Sequence, residues 1–401
     1  MTTISAKKPE TSSTTSFEDT SVAFSSKSNF ELRKTYFIFA AMNNNFLVDF
    51  GKSFLKFTLK IRFPFIKSIV KSTVFGHFCG GENITDCEKT INNLGKYDIG
   101  AILDYSVEGE KTEAGFDATL AETLLTIEKA AKSTHVPFSV FKVTGIAPFH
   151  ILEKVQSKQT LSPEEEKQWK RVQERMAAIC KRAYELNVKT LVDGEETWIQ
   201  DTIDNLAYAM MEKYNKEKPI IYNTYQLYRA DMLGNLKVAF EVATQKNYFL
   251  GAKLVRGAYM ERESKRAKEM NYPDPIQPGK EACDKDFDEA ILFCMNNIEH
   301  FGLVCGTHNE QSNKYLIELM LAKNISPADE RVYFAQLFGM SDQISYALAK
   351  DHYKVAKYLP YGPVEAVMPY LFRRADENTS VKGQTSREFL LIKKEIDRRK
   401  K

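Results

Sequence analysis

The sequence predicts an α/β fold, a (βα)8 barrel, on three observations. Between about residue 98 and the C-terminus, eight short β-branched or apolar runs alternate with eight helical segments. This repeat occupies about 280 residues, the size at which eight strand–helix units close into a barrel. No G-x-G-x-x-G follows the first run, and eight units exceed the usual strand number of a doubly wound open sheet, which is the structural alternative.

The elements follow in a regular order along the chain. The predicted strands are 99–105, 138–144, 189–195, 219–226, 250–257, 302–308, 332–339 and 353–360. The predicted helices are 112–133, 161–187, 199–217, 229–246, 281–300, 310–324, 341–351 and 362–378. The second helix has the clearest start, because Ser162 can cap it, Pro163 fits its first position, and the acids at 164–166 complement its dipole.

The segment before the barrel divides into two parts. Residues 1–30 are rich in Ser and Thr and are predicted to be a disordered tail, followed by a helical arm over 31–97 and the barrel with a C-terminal helix over 98–401. Within residues 31–75, no acid lies between Asp49 and Glu82, while six basic residues alternate with Phe, Leu and Ile. This pattern fits an amphipathic arm on an anionic membrane surface, or a helical arm packed on the domain with a solvated basic face.

Composition excludes several classes of protein. Of 401 residues, 43% are apolar and 27% charged, and 56 basic against 53 acidic residues give a net charge of +3, which argues against a nucleic-acid binder. The six cysteines have no paired spacing, which suits a reducing compartment. No secretory signal is evident and a transit peptide is weakly supported, so we expect a cytoplasmic protein. Peripheral contact with the inner membrane stays open, and a mitochondrial setting is the alternative.

Polar residues follow nearly every predicted strand, where barrel enzymes place their reacting groups. They are Asp104, Glu108, Lys142, Asp193, Glu195, Asn223, Arg256, Tyr259, Thr307, His308, Asn309, Gln336 and Tyr358. Each could have a structural role alone, but their convergence predicts a site, and the surplus of cations indicates an anionic ligand. Metal catalysis is disfavoured because His308 has no second histidine at a ligand spacing, and no G-x-S-x-G elbow or P-loop is present.

Four motifs at these strand ends resemble the proline dehydrogenase (proline oxidase) family of FAD enzymes, which have a distorted (βα)8, TIM-like barrel. They are LVRGAYMERE (254–263), GTHNE (306–310), YFAQLFGM (333–340) and YLPYGPVEAVMPYLFRRADEN (358–378). The similarity covers roughly residues 70–390 in order, and GHFCGGE (76–82) with ILDYSVE (102–108) is closest to the eukaryotic-type branch. The resemblance implies oxidation of L-proline to Δ1-pyrroline-5-carboxylate, with hydride passing from C5 to N5 of FAD and electrons leaving to a quinone or another acceptor.

The resemblance also implies which residues contact proline. Arg373, Arg374 and Lys142 match the carboxylate-binding cations of the family, and two planar guanidinium groups with a point charge suit a carboxylate. Asp193 and Asp104 match pocket acids, and Glu108 matches an acid that pairs with the first arginine. The residues expected around the proline ring are Tyr259, Leu337, Tyr358 and Tyr370. The proton acceptor for the proline amine stays open between solvent and an acid such as Asp193.

On the flavin side the resemblance identifies a second set. These residues are Asn223, Lys253, Val255, Gly257, Thr307, His308, Asn309, Gln336, Arg374, Glu377 and Ser380. Gly257 suits close backbone approach to a planar ring system. This chain has Lys253 and Arg256 where many bacterial members have arginine and lysine, so a point charge replaces a planar fork near N5.

Three alternatives remain at this stage. A hydroxyproline dehydrogenase of the same family tends to have a smaller residue at the position of Tyr358, so tyrosine favours proline. A Schiff-base lyase on an anionic substrate would use Lys142. A membrane-associated scaffold would work through residues 31–75 without chemistry.

Overall fold

A computed structural model describes residues 15–42, 66–107, 109–380 and 384–401 of the chain. Eight parallel strands close into a barrel in the order β1 to β8, so the predicted fold is confirmed. The strands are β1 Ile99–Tyr105, β2 Phe138–Phe141, β3 Lys189–Val192, β4 Ile221–Gln226, β5 Leu250–Val255, β6 Phe301–Gly306, β7 Val332–Leu337 and β8 Val355–Tyr361. The barrel closes through β1 and β8, which pair in register from Ile99 with Val355 to Tyr105 with Tyr361.

The helices surround this barrel and extend beyond it at both ends of the chain. Before β1 lie α1 Thr20–Ala23, α2 Asn29–Met42, α3 Ile66–Val70, α4 Gly76–Phe78 and α5 Ile84–Gly95. The helices between the strands are α6 Glu113–Ala131, α7 Phe149–Gln156, α8 Pro163–Glu185, α9 Thr197–Tyr214, α10 Met232–Gln245, α11 Met260–Met270, α12 Lys280–Asn296, α13 Glu310–Ala322 and α14 Asp342–Lys350. After β8 come α15 Val364–Ser380 and α16 Gln384–Arg398.

The strand residues alternate between two cores. One set fills the barrel interior, as an apolar cluster that includes Ile102, Phe138, Leu191, Tyr222, Val304, Tyr333 and Tyr358. The other set packs outward against the helices in the largest cluster of the molecule. Successive strand residues point to opposite faces, so the identity of one inward residue fixes the direction of all the others on that strand.

Among the helices between the strands, α7 and α11 were not predicted. Both are short and lie in connections that also contain a longer helix. They were missed because the prediction assumed one helix between consecutive strands. The predicted start of α8 is confirmed, since Ser162 and Glu165 form a capping box with Pro163 at the first helical position.

The prediction of a disordered tail over residues 1–30 is wrong for residues 15–30. Asp19 caps α1, and Phe17 and Phe24 are buried. Phe24 packs with Phe39 of α2 and Leu391 of α16. The Ser-rich composition misled the prediction because a few aromatic side chains are enough to dock a short segment on a neighbouring helix. Residues 1–14 lie outside the described part of the chain.

The described part of the helical arm packs on the last barrel helix. Phe75 and Phe78 share an apolar cluster with Val364, Val367 and Leu371 of α15. Lys71 and Lys67 pair with Glu82, the second at 3.2 Å between Nζ and Oε1. The apolar cluster holds α15 against the helical arm, which matters because α15 includes Arg373 and Arg374.

Candidate active site

The carboxyl ends of the strands surround a mouth whose inward side chains are polar. The alternation within each strand turns Asp104, Lys142, Asp193 and Lys253 inward, in register with the interior core. The strands β1, β2, β3 and β5 therefore contribute charged groups to one small volume. This confirms the convergence that was predicted from the strand ends.

Asp193 is the centre of this group. Its Oδ2 accepts from Lys142 Nζ at 3.3 Å, and its Oδ1 accepts from Lys253 Nζ. Lys253 Nζ also donates to the hydroxyl of Tyr358 at 2.8 Å and lies 4.9 Å from the centre of that ring. Burial alone would raise the pKa of Asp193, but the two ammonium groups outweigh it and hold the pKa below its ordinary value. The carboxylate therefore stays ionised and orients both lysines.

Aromatic residues line the mouth beside the two lysines. Burial raises the pKa of Tyr259 above its usual value, and the nearby positive charges of Lys142 and Arg373 oppose this shift. Tyr259, the residue before α11, is thus close to Lys142 and Arg373, two of the three predicted carboxylate-binding cations. Leu337 packs against the interior core, in contact with the cluster that includes Tyr358.

Helix α15 brings the remaining predicted residues to the same region. Leu337 also contacts the apolar cluster that contains Tyr370. The Arg374 guanidinium lies 5.0 Å from the centre of the Tyr370 ring, and both residues are buried. Arg374 therefore lies over Tyr370, and Arg373 is near enough to influence the pKa of Tyr259. The backbone of Glu377 and Ser380 belongs to α15, but their side chains, and all of Glu108, lie outside the described residues.

The rim above β5 and β6 has small residues where a planar ligand could lie. Two of them, Val255 of β5 and Gly306 of β6, face inward, and Gly257 follows β5 at the same parity. All three are at least partly exposed. Gly257 has φ of +134°, a conformation that side chains rarely adopt, and an added Cβ would lie 2.0 Å from Tyr228. An exposed, side-chain-poor surface beside Lys253 and His308 fits an isoalloxazine ring and its polar edge.

His308 lies two residues after β6, at the parity of the inward residues of that strand. Its Nδ1 lies 2.8 Å from Ser341 Oγ, and its Nε2 lies 3.5 Å from the backbone nitrogen of Leu337. Burial, with nearby Lys357 and Arg374, lowers the pKa of the imidazole to about 3, so the ring is neutral.

Thr307 and Asn309, the neighbours of His308, have structural partners. Thr307 Oγ1 accepts from Arg256 Nη1 at 2.6 Å, and Asn309 Oδ1 caps α13 by accepting from Gln311 N at 2.8 Å. Arg256 points away from the mouth to Asp284, at 2.8 Å from Nε to Oδ1. Lys253 and Arg256 stand where many bacterial members have arginine and lysine. Of these two, only Lys253 therefore reaches the centre of the site.

Two predicted cofactor residues point away from the mouth. Asn223 Nδ2 donates to Asp204 Oδ1 of α9 at 2.7 Å, in the layer between barrel and helices. Gln336 lies in the same layer on the opposite side, where its Oε1 accepts from Ser345 Oγ of α14 at 2.8 Å. Both predictions are wrong for a direct contact in the mouth, because each residue is one step out of phase with the inward residues of its strand.

Gln226 is the mouth residue of β4 that sequence reasoning missed. It is four positions after the inward Tyr222, so the two-residue period identifies it. Its side chain is buried, and Nε2 donates to the backbone oxygen of Glu195 at 2.7 Å. This bond joins the end of β4 to the loop after β3, which begins with Asp193.

Comparison with known proteins identifies the family of this chain. A sequence model of the family described as Proline dehydrogenase matches residues 87–387. Proline dehydrogenase 1, mitochondrial, of Dictyostelium discoideum is 34% identical over 426 residues, covering 95% of this chain and 74% of that protein. The human protein of the same name is 42% identical over 239 residues, which cover 59% of this chain and 40% of the relative.

A solved structure has the same fold. The proline utilization A (PutA) protein from Bdellovibrio bacteriovorus, inactivated by N-propargylglycine, superimposes with a TM-score of 0.73 over 95% of this chain and 40% of its own, at 18% identity. Together with the match over residues 87–387, these findings show that the chain belongs to the proline dehydrogenase family.

Proposed function

We propose that the protein oxidises L-proline to Δ1-pyrroline-5-carboxylate, the first step of proline catabolism, in the mouth of the barrel. The observation that supports this most directly is the cluster of Lys142, Asp193, Lys253 and Tyr358, which the arginines of α15 approach, in a member of this family. A site with fixed cations beside aromatic walls suits a small amino acid with one carboxylate and an apolar ring.

Arg373, Arg374 and Lys142 bind the substrate carboxylate in this proposal. Lys142 is oriented by its ion pair with Asp193, and Arg374 is held over the Tyr370 ring. Pre-oriented cations lose less side-chain entropy on binding than free ones, so they favour affinity for the anion. The pyrroline ring then lies among Tyr259, Leu337, Tyr358 and Tyr370, whose faces exclude water.

The amine proton of proline must leave before hydride can be transferred. A proton acceptor works best when its pKa is near the working pH. The two lysines hold the pKa of Asp193 below its ordinary value, which makes this carboxylate a poor acceptor. We therefore assign Asp193 an orienting role and the amine proton to solvent.

FAD is the cofactor that we propose, since the family is flavin-dependent. When bound, the flavin supplies the hydride acceptor. The residues that would hold it are Lys253, Val255, Gly257, His308 and Gln226, with Arg374, Glu377 and Ser380 from α15. Lys253 offers a charged donor and the neutral His308 ring offers a hydrogen-bonding edge, as the polar rim of a flavin requires.

A quinone is the proposed electron acceptor, and an anionic membrane surface is the proposed place of transfer. Phe30 and Phe37 of α2 are 78% and 69% exposed and lie two turns apart, with the exposed Arg33 between them. Such a face suits a headgroup boundary. Within the described ranges, no helix is both long enough and apolar enough to cross a bilayer. Residues 43–65 of the basic arm lie outside those ranges.

We propose a mitochondrial setting for the protein. The Dictyostelium and human relatives are both named mitochondrial. The expected cytoplasmic location is not confirmed by any of these findings.

Proline is favoured over hydroxyproline because Tyr358 fills the space that a ring hydroxyl would need. Its hydroxyl is already held by Lys253 at 2.8 Å. Tyr358→Ser should lower kcat/KM for proline and improve the relative use of 4-hydroxyproline. Steady-state kinetics with both substrates test this, and an unchanged ratio of the two kcat/KM values would contradict the assignment.

Chromatography of the cofactor released from the wild-type protein distinguishes FAD from FMN, and the absence of flavin would contradict the proposed function.

A further inference from the structure

The loop between β7 and α14 is held by buried groups from three elements outside that unit. His77 Nε2 lies 2.9 Å from the backbone oxygen of Gly339. Lys357 of β8 donates to the backbone oxygen of Met340, and Glu388 of α16 accepts from the backbone N–H of Ser341. The position of the loop therefore depends on the helical arm and on the C-terminal helix as well as on the barrel.

Ser341 has a backbone conformation that needs such support. Its φ of 50° and ψ of 43° are left-handed, and the residue is buried at the start of α14. A residue with a Cβ in this region costs roughly 1–2 kcal/mol relative to a right-handed one. Such strain persists only where the surrounding contacts fix the residue.

The side chain of Ser341 connects this loop with His308. The Leu337 N–H points at His308 Nε2, so the proton of the neutral ring is on Nδ1. Nδ1 then donates to Ser341 Oγ, at 2.8 Å. The hydroxyl of Ser341 is left with its own proton to donate.

Glu388 holds the backbone of Ser341, because its Oε1 accepts from the Ser341 N–H. Burial raises the pKa of Glu388 to about 7, while the hydrogen bond from the backbone N–H of Ser341 opposes the shift. The charged groups that act on this carboxylate are Asp342 and Lys357. Asp342 itself pairs with Lys357 at 2.8 Å and with Lys27 at 3.2 Å. Ser341 is thus held by Glu388 through its backbone N–H and contacts His308 through its hydroxyl.

We infer that Glu388, in a helix outside the barrel, is a positioning residue of the flavin site, which fixes the orientation and the neutral tautomer of His308 through Ser341. This inference rests on the proposed function, in which His308 faces the flavin. In metal sites, groups that hydrogen-bond a ligating histidine fix the orientation and the tautomer of its ring, and their loss weakens the site. The C-terminal helix would then be part of the functional site.

Nitrogen NMR of histidine-labelled protein tests the inference directly. The chain has six histidines, and the His308→Asn spectrum identifies the signals of His308. Glu388→Leu removes the acceptor for Ser341 and should shift the His308 ring signals and lower the flavin content of the purified protein. Glu388→Gln keeps a neutral acceptor oxygen of the same reach, so it should restore the wild-type signals.

Two further variants separate positioning from a loss of stability. Ser341→Gly tolerates the left-handed backbone but removes the hydroxyl, so it should shift the His308 signals without lowering the melting temperature. Glu395→Gln changes another buried glutamate of α16, which pairs with Arg398 and Arg399 at 2.8 and 2.7 Å. It should lower the melting temperature and leave His308 unchanged.

Wild-type signals of His308 in either Ser341→Gly or folded Glu388→Leu would overturn the inference. If Glu388→Leu does not fold, the Ser341→Gly spectrum decides alone. The NMR signals report the imidazole whether or not proline is oxidised. A wild-type protein that fails to reduce its flavin with proline would therefore contradict the proposed function. The His308 spectra would still decide whether Glu388 positions His308.

Discussion

Lys253 and Asn223 lie on neighbouring strands, and both are buried polar residues that sequence reasoning placed in the cofactor site. Lys253 points into the mouth and binds Asp193 and Tyr358. Asn223 points outward and binds Asp204 of α9. The strands pair with Thr224 opposite Lys253, so Asn223 is one residue out of phase. The comparison teaches that the parity of a strand residue, more than its polarity, decides whether it can touch a ligand.

The largest effect should follow from breaking the inward ion pair. Lys253→Met leaves Asp193 with one cation and removes a group from the proposed flavin edge, so we expect proline turnover to fall by about 100-fold or more, with a stability loss of roughly 3–5 kcal/mol. Anaerobic stopped-flow reduction of the folded protein measures the first effect.

Lys189→Met is the matched control. Lys189 also points inward but lies at the amino end of β3, where it pairs with Glu330 at 3.0 Å. It should change stability and leave kcat and KM for proline near wild type, because the amino face of a barrel serves stability. Equal kinetic losses in Lys253→Met and Lys189→Met would contradict the view that only the carboxyl ends of the barrel strands take part in catalysis.

The next effect concerns substrate binding. Arg373→Met should raise KM for proline at least about tenfold, with a smaller change in kcat, because it removes a ground-state contact with the carboxylate. Steady-state kinetics measure both constants. Arg182→Met is a control on α8, where Arg182 pairs with Glu128 at 3.0 Å. A near-normal KM for Arg373→Met would leave that arginine only a surface role.

A smaller effect separates the two faces of β4. Asn223→Ala should lower the free energy of unfolding by about 1–3 kcal/mol, because it removes a hydrogen-bond donor from the buried carboxylate of Asp204. It should not change KM for proline or the flavin content. Gln226→Ala, three residues along, should lower the flavin content. Urea unfolding and absorbance of the purified proteins compare them. Loss of flavin in Asn223→Ala alone would reverse the assignment of the two faces.

The smallest effect is on pH dependence. Burial raises the pKa of Asp204 to about 6, against hydrogen bonds from Asn223 and Gln200. The folded state therefore holds this proton more tightly than the unfolded chain, and its stabilising contribution is lost as pH rises through about 6. Between about pH 5 and 7 the free energy of unfolding should fall by on the order of 1 kcal/mol from this group.

Asp204→Asn should remove that slope, which urea unfolding at the two pH values measures. A slope equal to that of the wild type would show that Asp204 does not titrate in this range.

Much of the fold was predictable because the barrel repeats one pattern eight times. Short apolar strands and amphipathic helices each signal themselves locally, and Ser162 with Glu165 marks a helix start in the sequence. Residues 15–30 were missed because their docking depends on Phe17 and Phe24 meeting distant helices, which no local pattern records.

The site was predictable to the extent that strand boundaries were. Lys142 and Asp193 lie where predicted, since the polar residue after an apolar run marks the strand end. Asn223 and Gln336 were misplaced because boundaries uncertain by one residue invert the direction of a side chain. Ser341 and Glu388 had no signal, since their roles arise from contacts 33 and 47 residues apart in the chain.

Anaerobic addition of L-proline to the purified protein tests the central claim most directly. The visible absorption band of the bound flavin should bleach with proline, and the Arg373→Met protein should need a higher proline concentration for the same bleaching. An absorbance that does not change with proline, in a protein that contains flavin and is folded, would contradict the proposed site and its chemistry.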